Sequence, residues 1–350
     1  VSAPLRIGVA GLGTVGGGVV SLLNDNRSSI AERCGRDIEI VAVSARDQSK
    51  DRGTDHGSAK WCDIADLPKL DDVDVIVELI GGDDGPAKIL VEGALSAGKP
   101  VVTANKALIA IHGVALARQA ESAGVPLLFE AAVAGAIPII KALRESLAGN
   151  KFQRVYGILN GTCNYILTKM EQTGRTFDDV LSEAQELGYA EADPSFDVDG
   201  IDTAHKLAIL TSAAFGRAVD FDSVHVEGIR QISAPDIAYA AELGYRIKLL
   251  GIAQMTDHGV EQRVHACMVP IASPIAHVDD AYNAVVAEGD RAGRTVFEGQ
   301  GAGAGPTASA VVGDIMDIAR GHIGAPFGVP VASFRDIPPA SMDRHVGPYY

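Results

Sequence analysis

The chain has 350 residues, 47% of them hydrophobic, with 39 glycines and a formal net charge of −15. That is long enough for two domains with a substantial core. An acidic balance of this size argues against nucleic acid or an anionic membrane as partner, because both require basic surface. No apolar run approaches the ~18–20 residues of a membrane span, no charged-then-apolar leader opens the chain, and the four cysteines are scattered without a CxxC pair, which points to reduced thiols in a cytoplasmic protein.

The first stretch reads LRIGVAGLGTVGGGVVSLL. Leu5–Ala10 is expected to be a short buried strand, with an apolar helix following to about Leu23. Between them, Gly11-Leu12-Gly13-Thr14-Val15-Gly16 is GxGxxG, and its strand-before, helix-after setting makes it a specific dinucleotide signal. Gly11 permits the tight turn, Gly13 lets backbone approach a pyrophosphate, Gly16 packs helix on strand, and the helix N-terminus faces the phosphates. At the end of the second strand, Ile38–Ser44, an NAD site usually carries an acid for the ribose 2′-hydroxyl. Arg46 lies there instead and suits a 2′-phosphate, so NADP is favoured; NAD through Asp47 is the alternative.

Further apolar strands are expected at Val73–Ile80, Val101–Thr103 and Pro126–Phe129, alternating with helices at Ala87–Ala97 and Leu108–Ala123. That βαβ rhythm predicts a Rossmann-type, doubly wound parallel sheet over residues 1–135. Ligands bind outside the carboxyl ends of such strands, where Gly82, Thr103, Lys106 and Glu130 stand. Lys106 can reach cofactor or substrate from that place; an idle helix-start lysine is the alternative.

From about Ala136 the composition changes. An apolar helix is expected at Pro138–Ala148, a strand at Val155–Leu159, and a polar turn, Asn160–Asn164, capping a helix from near Tyr165. Gly188–Leu210 then places Glu191, Asp193, Asp197, Asp199 and Asp202 ahead of Lys206 on an apolar helix. Asp199-Gly200 has the character of an N-cap. Asp202 and Lys206 share one helix face, either as a surface pair or as a grouping that holds and protonates a small polar substrate. Alternating strands at Tyr245–Met255 and Val260–Val269, and a second hairpin near Gly289, predict an α+β domain with an open mixed sheet over residues 136–300. The glycine turn GQGAGAG, including Gly303, leads into a helix of about 303–320 that is expected to return to the nucleotide domain or bring backbone near the nicotinamide. The nine histidines lack metal-binding spacing, and His205 reads as packing.

With these pieces assembled, the chain resembles homoserine dehydrogenase over nearly its whole length: GLGTVG at 11–16, TANKALIA at 103–110, EAAVAGAIPII at 130–140, GILNGTCNYIL at 157–167, GYAEADPSFDVDGIDTAHKL at 188–207 and GAGAGPTASAVVGD at 301–314. Cys163 stands where that family usually has threonine. The resemblance implies NAD(P)H-dependent reduction of L-aspartate 4-semialdehyde to L-homoserine, a step toward threonine and methionine. It implies Lys206 as proton donor, Lys106 as a second catalytic lysine, Glu191 as a ligand for the substrate amino group, and Asp197 and Asp202 as holders of substrate and of Lys206. It also implies a sodium or potassium ion on a loop matching Glu130, Val133, Gly135 and Ile137, and a homodimer through the second-domain sheet. The first residue is Val1 rather than methionine, which suggests a missing start. The 321–350 tail, His345–Tyr350 above all, is similar to the beginning of a regulatory ACT domain, so a longer natural protein is expected, and no feedback inhibition by threonine from this piece alone. Two rivals stand beside this reading: a phosphorylating semialdehyde dehydrogenase with Cys163 as nucleophile, and a non-catalytic NADP sensor.

Overall fold

The structure is a computed structural model that describes residues 3–50, 52–53 and 55–345. The last five residues of the ACT-like tail, 346–350, therefore lie outside the described residues. The chain divides into two compact units, residues 1–144 with 302–334, and residues 145–301 with 335–350. Among the described residues no helix is long and apolar enough to cross a membrane.

The first unit runs β1 (Leu5–Ala10), α1 (Thr14–Asp25), α2 (Arg27–Cys34), β2 (Ile38–Ser44), β3 (Lys60–Trp61), β4 (Val75–Glu78), α3 (Pro86–Ser96), β5 (Val101–Thr103), α4 (Lys106–Ala123), β6 (Leu127–Leu128) and the short turn of helix α5 (Ile139–Lys141). Its six strands are all parallel in the order β3-β2-β1-β4-β5-β6, so the strand order reverses beside β1, where a doubly wound sheet opens its crevice. The apolar runs at β1 and β4 are needed because such strands are buried on both faces. Val75 and Val77 join a cluster with Val19, Val20, Val311 and Ile315, while Ile76 between them points to the opposite face.

The second unit runs β7 (Phe152–Ile158), α6 (Gly161–Thr173), α7 (Phe177–Glu186), α8 (Ser195–Val198), α9 (Ile201–Phe215), β8 (His225–Val226), α10 (Ala234–Glu242), β9 (Tyr245–Thr256), β10 (Gly259–Pro270), β11 (Tyr282–Gly289) and β12 (Gly293–Gln300). Its sheet has the order β12-β11-β7-β9-β10-β8. Every pair is antiparallel except β10 with β8, which makes the sheet mixed as expected. Gly251 on β9 allows close approach of α9: a Cβ there would meet Thr203 and Leu159 at 3.1 Å. The chain then returns to the first unit as α11 (Ala304–Ala319). Helix α11 presses on α1 at Gly18, where a Cβ would lie 2.5 Å from the Ala304 carbonyl oxygen.

Three local expectations are corrected. The helix expected at Pro138–Ala148 starts as α5 but continues as a π-helical turn, Ala142–Ser146; the Glu130 carboxylate accepts the first-turn Ile140 and Lys141 N–H groups at 2.8 Å each. The helix expected from Tyr165 begins at Gly161, since the Asn160 side chain itself accepts the Cys163 N–H. Asp199 does not cap α9. Gly200, with φ 86°, is the N-cap and has no side chain to offer, while Asp199 pairs with Arg230.

Candidate active site

In the first unit the glycine motif has the geometry its spacing predicts. Gly11 adopts φ 96°, and a Cβ there would fall 2.4 Å from the Leu79 carbonyl oxygen. A Cβ on Gly16 would lie 2.0 Å from the Gly11 carbonyl oxygen, so helix and turn touch at this point. Gly13 differs: among the described residues nothing beyond its chain neighbours lies within 4 Å of its missing Cβ, and Gly13 and Thr14 are exposed at the start of α1, with Val15 half-buried beside them. Open space over a helix N-terminus is where an anionic pyrophosphate is stabilised.

The neighbouring strand ends are tied together by a group that sequence reasoning missed. Glu78 is fully buried at the end of β4. One of its oxygens accepts the Ile80 and Gly81 N–H groups at 2.7 and 3.1 Å, and the other accepts the Thr103 hydroxyl at 2.5 Å. Thr103 Oγ1 in turn accepts the Asn105 N–H, and Asn105 donates to the Gly82 carbonyl at 2.6 Å while capping α4 through Leu108 N. Gly82 and Thr103 are thus held in one network, and half-buried Lys106 is the first residue of α4 directly beyond it. Arg46 is exposed just past β2, and Gly303 is exposed with φ 120° at the N-cap of α11.

The loop after β6 places Glu130, Val133, Gly135 and Ile137 together, all buried. Ala134 and Gly135 have φ of 58° and 54° in succession, a tight turn that strains a residue with a Cβ. Burial, with Asp314 nearby, pushes the Glu130 carboxyl up to about 7, and burial pushes Asp314 up to about 6. Asp314 accepts the Glu130 N–H at 2.9 Å, and Lys141 Nζ stands 3.4 Å from Asp314 and 2.5 Å from Asp317.

The second unit holds the carboxylate–lysine grouping. Lys206 Nζ donates to Asp202 Oδ2 at 2.7 Å and to the Leu159 carbonyl at 2.8 Å. Asn160 Nδ2 reaches the same Asp202 oxygen at 2.8 Å and Asp197 Oδ1 at 2.7 Å. Asp202, Asn160 and Lys206 are all buried and Asp197 is half-buried, so this is not a solvated surface pair. Glu191 stands apart from these bonds, exposed on the loop before α8, where its carbonyl accepts the Gln185 amide. His205 packs between the rings of Phe196 and Phe221, with centroids 5.6 and 4.4 Å away.

Cys163 has the wrong setting for a nucleophile. It is fully buried, its thiol donates to the Asp197 carbonyl at 3.3 Å, and burial with the neighbouring carboxylates pushes it well above the ordinary thiol range. A reactive cysteine needs the opposite environment.

Two family models match the chain: "Homoserine dehydrogenase, NAD binding domain" over residues 11–130 and "Homoserine dehydrogenase" over residues 138–316. The chain is 49% identical over 348 residues to a homoserine dehydrogenase of Pseudomonas aeruginosa, covering 99% of this chain and 79% of that one. The chain belongs to the homoserine dehydrogenase family. A Corynebacterium glutamicum homoserine dehydrogenase is 46% identical over 91% of this chain and 72% of its own length. The crystal structure of a homoserine dehydrogenase from Thiobacillus denitrificans superposes with a TM-score of 0.93 at 47% identity, over 97% of this chain and 80% of that one. A hyperthermophilic archaeal homoserine dehydrogenase, solved in complex with NADPH, gives a TM-score of 0.79 at 25% identity, covering 93% of this chain and 100% of that one. As a homoserine dehydrogenase the chain is an NAD(P)-dependent oxidoreductase acting on a CH–OH group, with a nicotinamide cofactor. The sensor reading is thereby overturned, and so is the thiol-enzyme rival.

Proposed function

We propose that the protein interconverts L-aspartate 4-semialdehyde and L-homoserine with NADP(H), in threonine and methionine biosynthesis, and that Lys206 carries the proton. The observation behind this reading is the buried Lys206–Asp202 pair, anchored by Asn160 and by the Leu159 carbonyl. The bound nicotinamide supplies or accepts the hydride. As the aldehyde oxygen gains negative charge, a fixed ammonium beside it stabilises that charge and delivers a proton. Asp202 orients the ammonium and favours its charged form. Asp197 and Glu191 supply negative charge for the substrate's amino group, and Lys106 is a second cationic group at the cofactor strand ends.

Gly11, Gly13, Thr14, Val15, Gly16, Gly82, Thr103 and Gly303 are the proposed backbone cradle of the cofactor. Arg46 is the proposed partner of a 2′-phosphate; Arg46→Ala should lower kcat/KM for NADP at least tenfold while sparing NAD, and an unchanged ratio would remove it from that role. The loop of Glu130, Val133, Gly135 and Ile137 fits a sodium or potassium ion, because hard carbonyl oxygens and buried acidic groups suit an alkali cation. The Glu130 carboxylate already binds two backbone N–H groups, so its contribution there falls to its carbonyl. A homodimer through the second-unit sheet completes the reading; sedimentation of the purified chain as a monomer would contradict it.

The deciding experiment is homoserine-dependent reduction of NADP at alkaline pH, with wild type beside Lys206→Ala. Turnover in the wild type that falls by roughly 10²–10⁴ in the variant, with NADP still bound, is expected for loss of a general acid–base group. A Lys206→Ala enzyme with wild-type turnover would sink the assignment.

A further inference from the structure

We infer that Asn160 is a positioning residue for the reaction: its side-chain amide fixes Asp202, and through it the Lys206 ammonium, at the carbonyl end of β7. The inference rests on the reading that Lys206 carries the proton. A helix cap requires one acceptor oxygen, and Asn160 Oδ1 meets that need by accepting the Cys163 N–H at 2.8 Å. The amide nitrogen is not needed for capping. Its bonds go to Asp197, 37 residues onward on α8, and to Asp202, 42 residues onward on α9. The orientation of this amide follows from its neighbours, since a flip would set the oxygen against two carboxylates and the NH₂ against an N–H.

Asp202 Oδ2 therefore receives a neutral donor from Asn160 and a charged donor from Lys206. Leu159, the residue immediately before Asn160, takes Lys206 Nζ on its carbonyl. Two consecutive residues at the end of one strand thus hold the carboxylate and the ammonium from separate sides. Asp197 and Asp202 are like charges arriving from different helices, and the amide joins them without adding a countercharge. Cys163 from α6, neutral in its buried setting, and Asp199 at the end of α8 are further ionisable groups near this point. Release of the Asp202 carboxylate would let Lys206 shift, and a misplacement of about 1 Å at reacting groups costs on the order of 10²-fold in rate.

Two substitutions separate capping from positioning. Serine and aspartate both cap helices about as well as asparagine, but neither reproduces the amide. Asn160→Ser should fold and bind NADP close to wild type, melting lower only by the loss of two buried hydrogen bonds, while kcat for homoserine oxidation falls roughly 10–100-fold. Asn160→Asp sets a third carboxylate against the other two, so its kcat relative to wild type should rise as pH is lowered and the added carboxyl regains a proton to donate. Wild-type kcat in Asn160→Ser would overturn the inference. If the serine variant does not fold, a pH-independent ratio for Asn160→Asp overturns it and a rising ratio upholds it. Failure of both variants to fold would make Asn160 a folding residue and remove the proposal. Lys206→Ala measured alongside tells the two readings apart: an inactive Lys206→Ala with a fully active Asn160→Ser defeats only the role of Asn160, whereas an active Lys206→Ala defeats the proton-donor assignment itself.

Discussion

Asp202 Oδ2 lies 2.7 Å from Lys206 Nζ, one turn apart on α9, and both side chains are buried. An exposed pair at this spacing would add a few tenths of a kcal/mol to a helix; a buried one governs protonation. Replacing Asp202 by Asn keeps the shape and removes the charge that favours the ammonium. With Lys206 in its proposed role as proton acceptor in homoserine oxidation, the rise of kcat with pH should begin at lower pH than in wild type. The maximal rate should fall roughly 10–100-fold, because the ammonium is less well oriented. A pH–rate profile with unchanged limbs would uncouple Asp202 from the reacting proton.

Gly13 and Gly16 offer a paired test of the nucleotide turn. A methyl at Gly16 meets the Gly11 carbonyl at 2.0 Å, whereas one at Gly13 meets nothing within 4 Å among the described residues beyond its chain neighbours, and Gly13 has an ordinary φ of −77°. Gly16→Ala should destabilise the fold by roughly 1–3 kcal/mol. Gly13→Ala should melt like wild type yet bind NADP at least tenfold more weakly. Thermal melts with cofactor titrations check both, and wild-type affinity in Gly13→Ala would place the pyrophosphate elsewhere.

The acid dependence of stability has an identifiable contributor in Asp74. Burial pushes this carboxyl up, but the Arg6 backbone and guanidinium, which donate to it at 2.6–3.1 Å, outweigh burial and hold it below the usual aspartate range. Its native value is thus lower than its unfolded one, so it contributes stability above the unfolded value. That contribution is lost as pH falls through the native value. Asp74→Asn should melt below wild type at neutral pH. The gap should begin to close below roughly pH 4, where an ordinary aspartate protonates, and a gap independent of pH would rule out the charge as its cause.

Features set by neighbours in sequence were readable from the sequence. The glycines of the nucleotide turn, the β9–β10 hairpin across Asp257-His258-Gly259, and the shared face of Asp202 and Lys206 all depend on local spacing. The position of Lys206 in the interior was not readable, because the i,i+4 pattern is the same for a surface pair. Asn160 was recognisable as part of a capping turn, but its amide bonds to residues 37 and 42 positions away exist only once three helices are assembled. Glu78 closes β4, an apolar run, and reads there as a strand-end acid; only the approach of β5 brings the Thr103 hydroxyl to it. Asp199 misled for the opposite reason: a good local cap was diverted by Arg230.

The return of α11 to the first unit has a consequence for biosynthesis. The nucleotide-binding core needs Ala308, Val311 and Ile315 beside Val19 and Val20, yet the second unit is encoded between them. At ribosomal rates of about 5–20 residues per second, α1 waits roughly 15–60 s for its packing partner to be made. During that interval the nascent chain carries an uncovered apolar helix face, while the intervening unit is contiguous enough to collapse first. The domain begun first in the message thus cannot be finished until most of the other has been made.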